Sequence, residues 1–425
     1  MHTLEDLKAG RLRGITRLDL SQGLHHFPEE IFELADTLEV LNLTGNALTT
    51  LPDDLGRLHR LKVLFCSDNR LTHLPLGIGQ CQRLETLGLR NNRIEHVDGR
   101  ALPAGLRALI LTQNRIEALP EALGDCSRLQ KLMLTDNRLD RLPDSLARCE
   151  RLELLRIASN RFERLPDWLP RLPQLAWLAF SDNPLERIET SPVDGCRSIR
   201  WQDVTLGAEL GRGASGVIHL AHLAGEQAAV AIKLYKGAMT SDGSPLAEMR
   251  ACIKAGEHPG LVRLVGRIDD HPQGLPALVM QLIEPHWFNL AGPPSLDSCT
   301  RDQYPPDRRF GVAAVRALAA RVASVCAHLH GRAIHHGDLY AHNILCDAQG
   351  NGLLGDFGAA AFRPAGAMGE ALERVEVRAF GILLEELMQR CEGADPQLAE
   401  AMQQCLQPKV MARPGFAAVV ELLEA

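Results

Sequence analysis

An asparagine recurs at positions 46, 69, 92, 114, 137, 160 and 183, in steps of 23 residues with one step of 22. Aligned copies surround it: "LEVLNLTGNAL", "LKVLFCSDNRL", "LETLGLRNNRI", "LRALILTQNRI", "LQKLMLTDNRL", "LELLRIASNRF" and "LAWLAFSDNPL". An eighth, degenerate copy, "ITRLDLSQGL", carries Gly23 in the Asn slot. A unit this short cannot bury its apolar positions alone. It buries them only against its neighbours, so the array must stack into a curved solenoid. The alternating leucines predict a short strand with leucines pointing inward. The Asn amide can bond backbone groups where the chain turns off that strand. The "LPxxL" segments close each coil on the convex side.

This pattern resembles the leucine-rich repeat family over roughly residues 15 to 190. The resemblance implies an α/β leucine-rich-repeat solenoid whose binding surface is the concave face. There Phe65, Ile110, Met133, Leu154 and Trp177 are expected to face outward. Exposed apolar groups of that size mark protein-binding surfaces. A protein substrate or regulator is therefore expected on this face, with cover by the second half of the chain as the alternative. Residues 1–190 form the expected repeat domain, 191–200 a linker and 201–425 a second domain.

The second half opens with "LGRGASGVIHLA", in which Gly211, Gly213 and Gly216 are spaced G-x-G-x-x-G. A dinucleotide site would follow such glycines with a helix. Here the β-prone "VIHLAHL" follows, which predicts a strand–turn–strand hairpin. Lys233 closes the apolar "VAIK". The helix-like "SPLAEMRACIKAGEH" then offers Glu248 as its carboxylate partner, with Glu257 as the competitor. "ALVMQLIEP" reads as a buried strand leading to a hinge, with Met280 at the back of a pocket. "HHGDLYAHNIL" (335 to 345), "DFG" (356 to 358) and a closing "ARPGF" complete the series.

Taken in order, these motifs resemble the protein-kinase family over roughly residues 198 to 425. The resemblance implies an α+β bilobal protein-kinase fold that uses ATP and Mg²⁺. The glycines would let backbone approach the phosphates without a Cβ in the way. Lys233 would hold the α/β-phosphates and Glu248 would hold Lys233. Asp356 and Asn343 would bind Mg²⁺, and Asp338 would accept or orient the acceptor hydroxyl's proton. Ile218, Ala231, Met280, Gln281, Ile283 and Leu345 would complete the nucleotide pocket. The expected activity is phosphorylation of protein, Ser/Thr favoured over Tyr, with the repeats recruiting a substrate or regulator. The alternative is a nucleotide-binding pseudokinase scaffold.

Several positions depart from the family pattern. The Arg that usually precedes the catalytic Asp is Gly337, and the usual Lys two residues after that Asp is Tyr340. Tyr340 is where acceptor preference is expected to be decided, with His342 expected to supply part of the missing charge. Residues 356–380 contain no Ser, Thr or Tyr. Control by a phosphate on this segment is therefore not expected. Glu376 stands where the family usually has an Asp supporting the catalytic loop. No A-P-E is found, which leaves Glu370 and Glu373 as candidate partners for Arg413. Ser295, Ser298, Thr300, Tyr304, Thr240, Ser241 and Ser244 are the expected exposed autophosphorylation candidates.

Composition narrows the classes. The net charge of −7 argues against bulk electrostatic binding to nucleic acid or anionic membrane. Aromatics at 4% leave few stacking platforms for bases. Eleven cysteines include no C-x-x-C, and that number of free thiols suits a reducing cytoplasm. Cys81, Cys126 and Cys149 read as small buried hydrophobes. The N-terminus lacks a signal-peptide core, and no apolar run is read as approaching the ~20 residues that span a bilayer. The excess of Arg over Lys, with abundant Ala and Leu, suggests a GC-rich bacterial coding sequence.

Overall fold

The computed structural model describes residues 2–186, 196–213, 215–237 and 239–424. Residues 191–195 of the expected linker lie outside the described residues. The chain divides into two compact units, Met1–Leu175 and Ala176–Ala425. This division falls ahead of position 190. The last copy of the repeat therefore belongs to the second unit.

In the first unit, helix α1 (Leu4–Lys8) is capped by the Thr3 hydroxyl, which accepts from Asp6 N–H. Seven three-residue strands follow: β1 (Arg17–Asp19), β2 (Val40–Asn42), β3 (Val63–Phe65), β4 (Thr86–Gly88), β5 (Ala108–Ile110), β6 (Lys131–Met133) and β7 (Leu154–Arg156). They pair in parallel, in chain order and in register. The register stacks Leu18, Leu41, Leu64, Leu87, Leu109, Leu132 and Leu155 into one row, all wholly buried. Parallel pairing follows from the repeat, because each strand is re-entered from the same end after one coil.

The repeated asparagines hold the coils together. In Asn114, Nδ2 donates to Leu89 O and Leu111 O, both at 3.0 Å, while Oδ1 accepts from Ile94 N. The residue before each of six of them has a positive φ: Asp68, Asn91, Gln113, Asp136, Ser159 and Asp182. That turn aims backbone groups at the amide, and polar residues tolerate it best. Cys81, Cys126 and Cys149 are buried, and desolvation pushes their thiols up to about 12, 11 and 11. Of the side chains expected to face outward, Phe65 and Ile110 are half-buried, whereas Met133 and Leu154 are buried.

The second unit begins with β8 (Trp177–Ala179). It continues with β9 (Val204–Arg212), β10 (Gly216–Leu223), β11 (Ala229–Tyr235), helix α2 (Pro245–Ala255), β12 (Leu264–Ile268) and β13 (Ala277–Gln281). Strands β9 to β13 form an antiparallel sheet in the order β12-β13-β11-β10-β9. Its core holds Ala221, Val230, Ile232, Ile268, Ala277 and Val279.

A mainly helical part follows. It contains β14 (Phe288–Asn289), β15 (Phe310–Gly311), α3 (Val312–Gly331), β16 (Ile334–His335), β17 (Ile344–Cys346), β18 (Gly352–Leu354), β19 (Ala361–Phe362), α4 (Ala367–Met388), β20 (Cys391–Glu392), α5 (Pro396–Cys405) and α6 (Phe416–Glu424). Helix α3 corrects one sequence expectation, because its 20 residues have the length and apolarity to cross a bilayer. It packs instead against α6 and β18, with Val315, Leu318, Val322, Cys326 and Leu329 buried. This is the burial pattern of a core helix. Strands β14, β17 and β18 form a small sheet.

Candidate active site

A cavity of about 400 Å³ opens between the antiparallel sheet and the helical part. Ile218 of β10, Ala231 and Lys233 of β11, Met280 and Gln281 of β13, Ile283 and Leu345 all line it. So do Glu248 of α2 and Asp356. Strand pairing produces this convergence. Ile218 lies opposite Lys233 on one side and Gly211 on the other, and Ala231 lies opposite Met280.

The three glycines sit apart from the cavity wall, at the turn of the β9–β10 hairpin. Gly216 is a packing requirement, because a Cβ there would meet Leu234 O at 2.5 Å. Gly211 and Gly213 instead have open space where a Cβ would stand. The hairpin closes with Gly213 N–H donating to Gly216 O at 3.0 Å.

Lys233 and Glu248 form a buried ion pair, with side chains 15% and 3% exposed. Burial pulls the Lys233 ammonium down, but the adjoining carboxylate outweighs it, and the net direction is upward. Lys233 is therefore held charged. Tyr235 supports the pair, with its hydroxyl 3.3 Å from the same Glu248 oxygen. Glu257 plays no part in this pair.

Asp338 and Asn343 do not line this cavity, but Asn343 O accepts from Gly355 N–H of its wall at 2.9 Å, and Asn343 Nδ2 donates to Asp338 Oδ2 at 2.8 Å and to Asp338 O at 2.9 Å. Asp356 is exposed with φ +51°, and its Oδ1 accepts from Gly358 N–H. His336 spans the two segments, meeting Gly355 O at 3.0 Å and Asp338 N at 3.3 Å. Beneath them, Glu376 of α4 accepts from Gly337 N at 2.6 Å and from His336 N at 3.2 Å. The same carboxylate lies 2.6 Å from His330 and 3.7 Å from His335. Burial alone would raise the Glu376 carboxyl, but the surrounding imidazoles hold it far below the usual carboxylate range.

ATP and Mg²⁺ suit these donors. Lys233 supplies a fixed cation and Gly211 and Gly213 an uncrowded backbone. Asp356 and the Asn343 amide oxygen are the hard oxygen ligands that Mg²⁺ takes. Ile218, Ala231 and Leu345 give an apolar bed for a base.

The departures from pattern acquire physical causes. A Cβ at Gly337 would meet both Leu178 O and Ala359 O at 2.6 Å, and its φ is +75°. Only glycine fits. Tyr340 is 5% exposed and stacks on Trp177, with ring centroids 4.1 Å apart and an interplanar angle of 6°. The expectation that Tyr340 decides acceptor preference is corrected, because it is a packing residue. Trp177, expected to face outward, is 1% exposed and donates from Nε1 to Leu339 O at 3.0 Å.

His342 is anchored by Asp302, with Nδ1 and Oδ1 2.7 Å apart. Burial pulls the imidazole down, but this hydrogen bond and nearby carboxylates raise it overall. Arg413 is buried and donates to the carbonyls of Gln407 and Arg374. Glu373 accepts from Phe416 N–H at 2.8 Å, at the start of α6. Four of the hydroxyls expected to be exposed are otherwise engaged. Thr240 and Thr300 are buried, Tyr304 bonds Glu386, and Ser244 caps α2.

Sequence reasoning missed Trp177, Asp182 and Glu186 as parts of this region. Gly337 was the available signal. A glycine replacing a large side chain marks a close backbone approach, though it does not name the partner.

Comparison with known proteins bears on both units. A protein kinase domain model matches residues 204–380. Leucine-rich repeat models match residues 37–58, 82–139 and 127–185. Among solved structures, an LRR protein of Leptospira interrogans is 27% identical, with a TM-score of 0.36. That match covers 41% of this chain and 51% of the other, so it spans about half the length of that protein. No curated protein matches.

Proposed function

From a chain that joins leucine-rich repeats to a protein kinase domain, we infer an ATP- and Mg²⁺-dependent protein kinase that modifies Ser/Thr in preference to Tyr. The observation that carries this reading is the convergence of the Lys233–Glu248 ion pair and Asp356 on one cavity, with the bonded pair Asp338–Asn343 joined to its wall through Gly355.

Phosphoryl transfer needs positioning and charge neutralisation more than covalent help from the protein. Mg²⁺, when bound, neutralises charge on the phosphate oxygens, and Asp356 and Asn343 are the residues to hold it. Lys233, kept charged by Glu248, holds phosphate oxygens at the cavity's edge. Asp338 orients the acceptor hydroxyl and takes its proton. Asn343 fixes that carboxylate through the 2.8 Å bond, so its orientation is set before substrate arrives. His342, next to Asn343 in the chain, is held in place by its 2.7 Å bond to Asp302.

The concave repeat surface is the proposed recruiting site for a protein substrate or regulator. We also propose a reducing, cytoplasmic setting, which a chain with eleven cysteines and no C-x-x-C suits.

The deciding experiment compares wild type with Asp338→Asn, using labelled ATP, Mg²⁺ and a generic protein acceptor. Loss of the proton acceptor should lower transfer by at least ~100-fold while nucleotide binding persists. Equal labelling by the two proteins would leave only a nucleotide-binding scaffold.

A further inference from the structure

The segment Ala176–Glu186 touches three parts of the nucleotide and catalytic machinery, all within the second unit. Trp177 and Leu178 pack on the catalytic loop at Leu339, Tyr340 and Gly337. The Glu186 carboxylate accepts from Phe362 N–H at 2.7 Å, beyond the D-F-G turn. It also accepts from Asp182 N–H at 2.7 Å, which ties the segment's own end to its middle.

The third contact reaches α2. Asp182 Oδ1 accepts from Arg250 at 2.5 Å, and Asp182 Oδ2 accepts from the Ser244 hydroxyl. Ser244 is the N-cap of α2. Its hydroxyl accepts from Ala247 N–H at 3.1 Å and its carbonyl from Glu248 N–H at 3.2 Å. A continuous chain of bonds thus runs from Asp182 through Ser244 to Glu248, and from Glu248 to Lys233. Asp182 and Arg250 are each about three-quarters buried, with side chains 22% and 27% exposed. An ion pair so shielded couples more strongly than a surface pair.

The sequence supplies a reason why such a device exists here. The segment 356–380 holds no hydroxyl that could carry a phosphate, and Gly337 offers no cation to grip one. The anion that reaches α2 is instead a carboxylate built into the chain. Asp182 occupies the left-handed position of the repeat, the same position as Asp68, Asn91 and Asp136. A repeat position has been given a second task.

We propose that Asp182 is a positioning residue for the nucleotide site, fixing α2 through Ser244 and Arg250 so that Glu248 stays on Lys233. The proposal deepens the kinase reading and rests on it for its effect on rate, but its effect on nucleotide binding can be read whether or not transfer occurs.

The test uses the full chain as wild type, Asp182→Asn, Arg250→Ala and the double variant. Asn keeps the volume and tolerates the positive φ, so folding is preserved. MgATP affinity is measured by calorimetry, and hydrogen exchange is followed over Pro245–Ala255. Each single variant should weaken MgATP binding about tenfold and speed exchange in α2, with thermal unfolding shifted by less than about 4 °C. The double variant should be no weaker than the worse single, because one bond is removed twice. Unchanged affinity and exchange in the single variants would overturn the proposal. So would fully additive losses, since the two residues would then act separately. A wild type that binds MgATP but shows no Asp338-dependent transfer fails the kinase reading alone.

Discussion

The two units bury polar side chains for the same purpose and by opposite means. In the first, each repeated asparagine satisfies backbone groups of its own coil and the one before it, as Asn114 does for Leu111 O and Leu89 O. In the second, one carboxylate, Glu376, gathers two backbone N–H groups and two imidazoles. The asparagines are neutral and periodic, so one lost amide opens one seam. Glu376 is charged and single, so its loss strands several buried donors together. Periodic neutral bonding gives a frame that fails locally. Convergent charged bonding gives a site that fails as a whole.

Glu376→Ala should do the most damage. Removing one partner of a buried charged cluster costs about 3–5 kcal/mol. Urea unfolding of the second unit should show that loss, and transfer to a protein acceptor should vanish with the catalytic loop's anchor. A variant that kept near-wild-type stability would show that the cluster is not the anchor.

Acid should separate the units next. Burial lowers the His335 imidazole from its usual 6.5 to about 4, against the pull of Glu376. Between those values the unfolded chain binds a proton that the native state refuses, so stability falls as pH drops through this window. For one such group the loss amounts to roughly 3 kcal/mol. The depressed Glu376 carboxylate stays ionised throughout the window and does not offset it. Hydrogen exchange in α3 and α4 should therefore accelerate between about pH 6.5 and 4. The asparagine seams of the first unit, which do not titrate there, should hold their protection. Equal acid sensitivity in both units would remove the contrast.

The smallest expected effect is in the frame. Asn114→Ala leaves Ile94 N–H and three carbonyls without their side-chain partner, at about 1–3 kcal/mol. That cost should appear in the first unit's unfolding, while MgATP affinity stays within twofold of wild type (about 0.4 kcal/mol).

Much of this architecture could be read from the chain. The Asn spacing implied the parallel leucine row, because a repeat fixes each residue's environment from its neighbours along the sequence. The glycine hairpin was legible from the β-prone run that follows the glycines, and Lys233, Glu248, Asp338, Asn343 and Asp356 were singled out by motifs that resemble those of the protein-kinase family, of which Lys233, Glu248 and Asp356 meet at one cavity. Other features were not legible. Tyr340 was expected to face an acceptor, but it lies under Trp177, which is distant in sequence and carries no motif. Helix α3 is apolar enough to cross a membrane, yet its role as a core helix is visible only in what packs on it. Gly337 stood out as a departure, but its causes were a positive φ and the carbonyls of Leu178 and Ala359, backbone atoms with no signature in sequence.

The repeat, a kinase-type motif set and the lack of any hydroxyl side chain in residues 356–380 are all written in the amino-acid order. These are local facts, set by periodicity and by the chemistry that each residue type can perform. Only packing in three dimensions sets where the second unit begins, that Glu376 anchors His336 and Gly337, and that Asp182 reaches α2. Such contacts join residues tens to hundreds of positions apart, and complementarity of shape and charge between distant segments leaves no periodic trace along the chain.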